Sequence, residues 1–222
     1  MFYYVPRTAI LRAIREISPL FSGRVLDIGC GFMPYRELVV SNEKVESYSG
    51  IDLDGSAIYG NIKPDIIWNG KTIPVPDGSA DCLIATEFLE HHSEPEKTLS
   101  EFSRVLKTNG ILFGTVPFVW NLHEIPNDEF RYTPYSLGRM LRNAGFTDIE
   151  ISGLGGWNAS MAQMIGLWIT FAKLPRLVRG MIRLALFPIF AILVKTDSTP
   201  VAFDDAANSM FPGLSFTARK GQ

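Results

Sequence analysis

The chain has 222 residues, 46% of them hydrophobic and 20% charged, which suits one domain carrying an insertion and excludes a disordered chain. Its 21 basic and 23 acidic residues leave a net charge of −2, which gives no general attraction to nucleic acid. The two cysteines, Cys30 and Cys82, form no CxxC pair and no metal-ligand cluster, so no metal is expected and a reduced, cytoplasmic setting fits.

Pro6 to Ile17 predicts an amphipathic N-terminal helix over about 6–18, with Ile10, Ile14 and Ile17 on one face. Arg7, Arg12 and Arg15 interrupt any apolar core there, so the segment does not read as a signal peptide. Short apolar runs then alternate with helical segments. Arg24–Ile28 reads as a first strand ending at a glycine pair, Tyr35–Val40 as a helix, Tyr48–Leu53 as a second strand, Asp65–Trp68 as a third and Asp81–Ala85 as a fourth. Pro95–Leu106 predicts a helix, with Ser93 as N-cap, Glu96 in the first turn and Asn109-Gly110 as the stop. Ile111–Val116, Phe146–Ile151 and Leu214–Ala218 give strands five to seven, with a helix over Ser136–Asn143 stopped by Gly145.

This alternation predicts an α/β fold, a single doubly wound, mostly parallel seven-stranded sheet covered on both faces, spanning 1–222. The pattern breaks between Gly153 and Ser209, which reads as a hydrophobic helical insertion before the last strand. No run of 18 or more uncharged apolar residues occurs, so a membrane-spanning helix is not expected.

The chemistry begins at Val25-Leu26-Asp27-Ile28-Gly29-Cys30-Gly31, where an apolar strand runs into Gly-x-Gly ahead of a helix. Glycines let the backbone turn tightly and approach a ligand. Asp27, two residues before the first glycine, would repel a pyrophosphate and attract an ammonium group, and the third glycine of the dinucleotide fingerprint is missing. Both features disfavour a nicotinamide-dependent oxidoreductase.

Further motifs follow in order: Gly50-Ile51-Asp52-Leu53, then Ile73-Pro74-Val75-Pro76-Asp77-Gly78-Ser79-Ala80-Asp81, then Leu89-Glu90-His91, then Arg104-Val105-Leu106-Lys107 with Asn109-Gly110. Together with Val25–Gly31 they resemble the class I S-adenosylmethionine (SAM)-dependent methyltransferases, specifically the type 11 branch, which has a Rossmann-like methyltransferase fold. The resemblance covers roughly 22–152 and the last strand, and it implies SAM as cofactor. It also implies that Gly29 and Gly31 pass under the methionine part of SAM, that Asp27 helps hold its ammonium end, and that Asp52 accepts bonds from both ribose hydroxyls. Asn69 stands where the family often has an aspartate near the adenine amino group, and its amide oxygen can accept the same bond. Cys30, Leu53 and Gly70 complete the expected cofactor set, Cys30 as a small residue tolerated in the turn. Trp68 and Ile73 either wall the adenine or belong to the core. Thr86 and Glu87 would border the sulfonium.

All three histidines, His91, His92 and His123, follow predicted strands four and five, on the edge where ligands of open α/β sheets dock. A hydroxyl acceptor needs a base to remove its proton, and the candidates are His123, His91, Glu87 and Glu124. His123 opens a polar stretch to Pro134 that resembles a segment of type 11 enzymes encoded among bacterial glycan-assembly genes. There Asp128, Arg131 and Tyr132 are candidate substrate-binding residues, or else Arg131 pairs with Asp128 or Glu124 and caps the next helix. His92 reads as a solvated loop residue.

Between Glu150 and Asp197 no acidic residue occurs, whereas Lys173, Arg176, Arg179, Arg183 and Lys195 do. With its apolar runs, Trp157 and Trp168, the stretch 157–195 suits a helix pair at an anionic membrane surface, or alternatively a buried subdomain or homodimer interface. Pro175 and Pro188 are expected to kink or break its helices. The sequence therefore points to a SAM-dependent methyltransferase, cytoplasmic and peripheral on the inner face of the membrane. Its acceptor would be a small molecule, sugar or lipid-linked glycan, methylated at oxygen. The alternatives are methylation of an isoprenoid quinone or other lipid, and a non-catalytic SAM-binding module.

Overall fold

The structure, a computed structural model, describes residues 4–54, 62–197, 202–203 and 209–222. Its seven strands are β1 (Gly23–Ile28), β2 (Val45–Asp52), β3 (Ile66–Ile67), β4 (Ala80–Thr86), β5 (Leu106–Pro117), β6 (Phe146–Gly153) and β7 (Gly213–Lys220). They form one sheet in the order β3-β2-β1-β4-β5-β7-β6. The pairs joining β3 through β5 are parallel, while β7 runs antiparallel to both β5 and β6. The inner strands β1 and β4 are almost wholly buried, as expected of runs covered on both faces. Gly114 of β5 is required by packing, because a Cβ there would lie 2.4 Å from the Phe216 ring of β7.

The helices are α1 (Tyr4–Ile17), α2 (Arg36–Val40), α3 (Pro95–Val105), α4 (Pro134–Asn143), α5 (Trp157–Phe171) and α6 (Arg176–Thr196). One core holds Leu26, Ile51, Leu83, Phe102, Leu141 and Phe216, and a second places Ile10 and Ile14 of α1 against Val25, Ile84 and Phe113. Parallel strands ending on one edge leave their following loops side by side there.

Three local expectations are corrected. Ser93 is not the cap of α3: Glu94 holds that position without a side-chain bond, and Pro95 starts the helix. The helix ends at Val105, before Asn109-Gly110, because Leu106 already pairs with Ala80 in the sheet. Pro188 does not break α6, which runs 21 residues through it; Pro175 does stand at its start. Among the described residues α6 is long and apolar enough to cross a membrane, with a mean hydropathy of 2.1 over its best 18-residue window. Its two interior arginines are what hide this from a search for uncharged runs.

Candidate active site

The turn after β1 is built on left-handed backbone. Gly29 has φ +67° and Gly31 φ 47°. A side chain on Gly29 would meet the Phe88 ring at 2.3 Å, so the turn is held close beneath the loop after β4. Asp52, at the end of β2, accepts from the amides of Gly31 (2.8 Å) and Leu53 (2.7 Å), which ties the second strand to the glycine turn. Each carboxylate oxygen keeps a further lone pair for a ligand.

Asp27 lies below this turn rather than in the open site. It is 2% exposed and accepts the Tyr48 hydroxyl. Burial pushes its carboxyl up to about 7, against the lowering effect of the Tyr48 bond, and the nearby Asp52 adds to the rise. Asn69 uses its amide oxygen on the backbone N–H groups of Lys71 and Thr72, so that oxygen is engaged within its own turn. Trp68 and Ile73 are core residues. His92 is not solvated: its ring stacks 5.4 Å from Trp68 and lies 4.4 Å from Phe88, and burial pushes it down to about 4.

A cavity of about 560 Å³ opens on the carboxyl edge of the sheet, within the roughly 300–1,000 Å³ of ligand pockets generally. Gly29, Cys30, Gly31, Thr86, Glu87, His91, His123 and Glu124 all line it. All four candidate bases thus share one cavity with the glycine turn. Asp27, Asp52, Leu53, Asn69 and Gly70 do not line it, nor do Asp128, Arg131 and Tyr132.

The histidines are oriented. His91 Nδ1 lies 3.0 Å from the Asn127 carbonyl, which can only accept, so Nδ1 carries a hydrogen and Nε2 is turned toward Glu90 and Glu124. His123 Nδ1 is 3.1 Å from the Asp128 carboxylate, and the rings are 4.8 Å apart. Asp128 in turn receives both guanidinium arms of Arg131, at 2.6 and 2.8 Å, and these bonds hold its carboxyl well below the usual range. Arg131 therefore pairs with Asp128, while the cap of α4 is Thr133 with Ser136. Tyr132 is buried, its hydroxyl donating to the Leu89 carbonyl, which makes it a core residue and not a substrate contact.

Two acids stand behind the histidines. Glu87, at φ 48°, accepts from the Thr115 hydroxyl (2.9 Å), and burial pushes its carboxyl up to about 7. Glu90 is fully buried, with no hydrogen-bond partner on either oxygen among the described residues, and burial raises its carboxyl well above the normal range. Its carboxylate, His91 and His123 bring ligand-type atoms within 4.8 Å of one another. The fold thus assembles a metal-type cluster that the linear spacing does not reveal.

Sequence reading missed the lining residues Tyr35, Trp120 and Asn121, and the closure of the cavity by Pro6, Arg7 and Ile10 of α1 and Phe171 of α5. Trp120 and Asn121 directly follow β5, so their position on the ligand edge was the available signal; the helix contributions come from distant packing and left none.

Residues 26–114 match the methyltransferase domain family of type 11. Over that segment, which runs from β1 into β5, the chain carries a methyltransferase domain. No curated protein matches the chain in sequence. Among solved structures it resembles a SAM-dependent methyltransferase of Archaeoglobus fulgidus (TM-score 0.60, 18% identity, covering 96% of this chain and 94% of that one). A SAM-dependent methyltransferase of Thermotoga maritima gives TM-score 0.62 at 14% identity over 99% and 93% of the two chains. A phosphoethanolamine N-methyltransferase of Haemonchus contortus, complexed with phosphomonomethylethanolamine and S-adenosylhomocysteine, gives 0.58 at 15% identity; 97% of this chain covers 53% of that one. These likenesses establish the fold.

Proposed function

We propose that the enzyme methylates a hydroxyl group of a sugar or lipid-linked glycan, with His123 as the base and His91 beside it. The observation that carries this reading is the oriented histidine pair, which shares its cavity with the glycine turn. Bound SAM supplies an electrophilic methyl group on a sulfonium centre. Gly29 and Gly31 give the close backbone approach its methionine part needs, Thr86 and Glu87 border the sulfonium, and Asp52 takes the ribose hydroxyls. Asp27 acts from below, keeping the turn in place through Tyr48.

The Asp128 carboxylate anchors His123 Nδ1–H, so the Nε2 lone pair is the group that accepts the hydroxyl proton. Arg131 keeps Asp128 ionised and fixed, a positioning role. Trp120 and Asn121 offer an aromatic face and an amide, a combination suited to a polyhydroxylated ring.

The acceptor is identified by mass spectrometry of cell-envelope glycans and lipids from cells with and without the intact gene, where one methyl group should be lost. With that acceptor, His123→Ala should lower turnover about 10²–10⁴-fold and leave S-adenosylhomocysteine affinity unchanged. Full turnover in both His123→Ala and His91→Ala would exclude histidine base catalysis. Turnover that survives chelation keeps the pair as bases. Loss on chelation, restored by a divalent cation, would reassign Glu90, His91 and His123 as metal ligands.

A further inference from the structure

α6 is built the wrong way round for a helix facing water. Leu177, Met181, Leu184 and Ile192 share one stripe at helical spacing, and they are 84%, 71%, 78% and 61% exposed. The opposite side meets α5 and carries Arg176, Arg179 and Arg183, which with Gly166, Ile169 and Thr170 of α5 line a cleft of about 440 Å³. Among the described residues, no carboxylate lines this cleft. Arg179 donates from Nη2 to the Ala172 carbonyl, yet among the described residues its buried Nε has no partner. A buried guanidinium N–H lacking an acceptor is costly, and the arginine fork matches phosphate oxygens.

Either feature alone would be ambiguous: a cationic cleft suits any phosphate, and an apolar stripe suits any apolar partner. One helix bearing both fits a surface where phosphates edge an apolar layer, which is an anionic phospholipid bilayer. The helix lies in that interface rather than crossing it. Phe190, Leu193 and Val194 pack with Ala159 and Ala162 of α5 and Val5 of α1, which ties α6 to the domain. A spanning helix would be apolar on every face, and this one is not.

We propose that the cleft between α5 and α6 binds lipid phosphate through Arg176, Arg179 and Arg183, while Leu177, Met181, Leu184 and Ile192 enter the acyl region. Thr170 lines this cleft and the next residue, Phe171, lines the active-site cavity, so headgroup and acceptor lie on two sides of one helix. The inference does not depend on the identity of the acceptor.

The test is flotation of the full chain with vesicles of phosphatidylcholine, with and without phosphatidylglycerol, at low and high salt. Partitioning should favour the anionic vesicles and weaken with salt. At about 1 kcal/mol for each basic residue, the double variant Arg176→Gln/Arg183→Gln should bind them roughly 30-fold more weakly. Leu177→Gln/Leu184→Gln should lose both vesicle types. Unchanged S-adenosylhomocysteine affinity in each variant shows that it has folded. Titration with inorganic phosphate separates the sources: saturation by free phosphate without vesicle binding would overturn the lipid assignment. So would a dimer, seen by sedimentation, that buries α6 and stays off every vesicle.

Discussion

Asp27 is a motif residue buried beneath the glycine turn and bonded to Tyr48, not exposed in the cavity. Its carboxyl is raised to about 7 in the folded protein against about 3.9 in an unfolded chain. A raised carboxyl stabilises the fold when protonated, so its contribution is complete below about pH 4 and is lost as pH climbs through 7. Asp27→Asn keeps an acceptor for Tyr48 and cannot ionise. Thermal melts of the cofactor-free enzyme at pH 5 and pH 8 should therefore lie closer together in the variant, by on the order of 2–4 kcal/mol. Glu87 keeps its own share of the slope. An undiminished gap would mean that Asp27 stays ionised in the fold.

The family resemblance offers Asp52, at the end of β2, as the ribose ligand, and the structure gives it bonds to the Gly31 and Leu53 amides. Asp52→Ala should weaken SAM binding by about 1.5–3 kcal/mol, the scale of hydrogen bonds to a charged group. Calorimetry giving unchanged affinity would remove it from the site. His92 reads from sequence as a solvated loop residue because it lies in the loop after β4; its flat ring in fact completes a stack with Trp68 and Phe88 that no local pattern encodes.

Between elements, the motif segments 73–81 and 104–107 form one bonded unit. Arg104 on α3 donates to the carbonyls of Ile73 (2.8 Å) and Val75 (3.0 Å) and to the carboxylates of Asp77 and Glu101. Glu101 receives the Ile73 amide, and Lys107 pairs with Asp81 at 2.7 Å. These bonds tie residues about 30 apart in sequence and fix the loop that enters β4. Arg104→Met keeps the stem and loses the fork, leaving two carbonyls and two acids without their donor. Urea unfolding should show a loss of about 2–3 kcal/mol, with the m-value retained. Strand and helix identities were legible at this scale because each period is local. The sheet position of β7 was not, since its antiparallel insertion between β5 and β6 depends on pairing across the long excursion.

For the whole molecule, the carboxyl edge of the sheet gathers the loops after β1, β4 and β5, while α5 and α6 hang beside it. That the loops converge could be read from strand order alone. That α1 and Phe171 close the cavity could not, because nothing local in either helix marks the contact. Two ligands should accordingly leave separate footprints in hydrogen exchange. S-adenosylhomocysteine should slow exchange at 29–33 and 86–91, the turns after β1 and β4, and leave α6 unaffected. Anionic vesicles should slow exchange along 177–192 and leave those turns unaffected. The two footprints should meet only at the end of α5, where Thr170 faces the arginine cleft and Phe171 the cavity. Vesicle protection that spread over the glycine turn, or cofactor protection that reached along α6, would show one coupled site in place of two adjoining ones. Agreement with the separate pattern would mean that the insertion sets where the enzyme works, while the sheet edge sets what it does there.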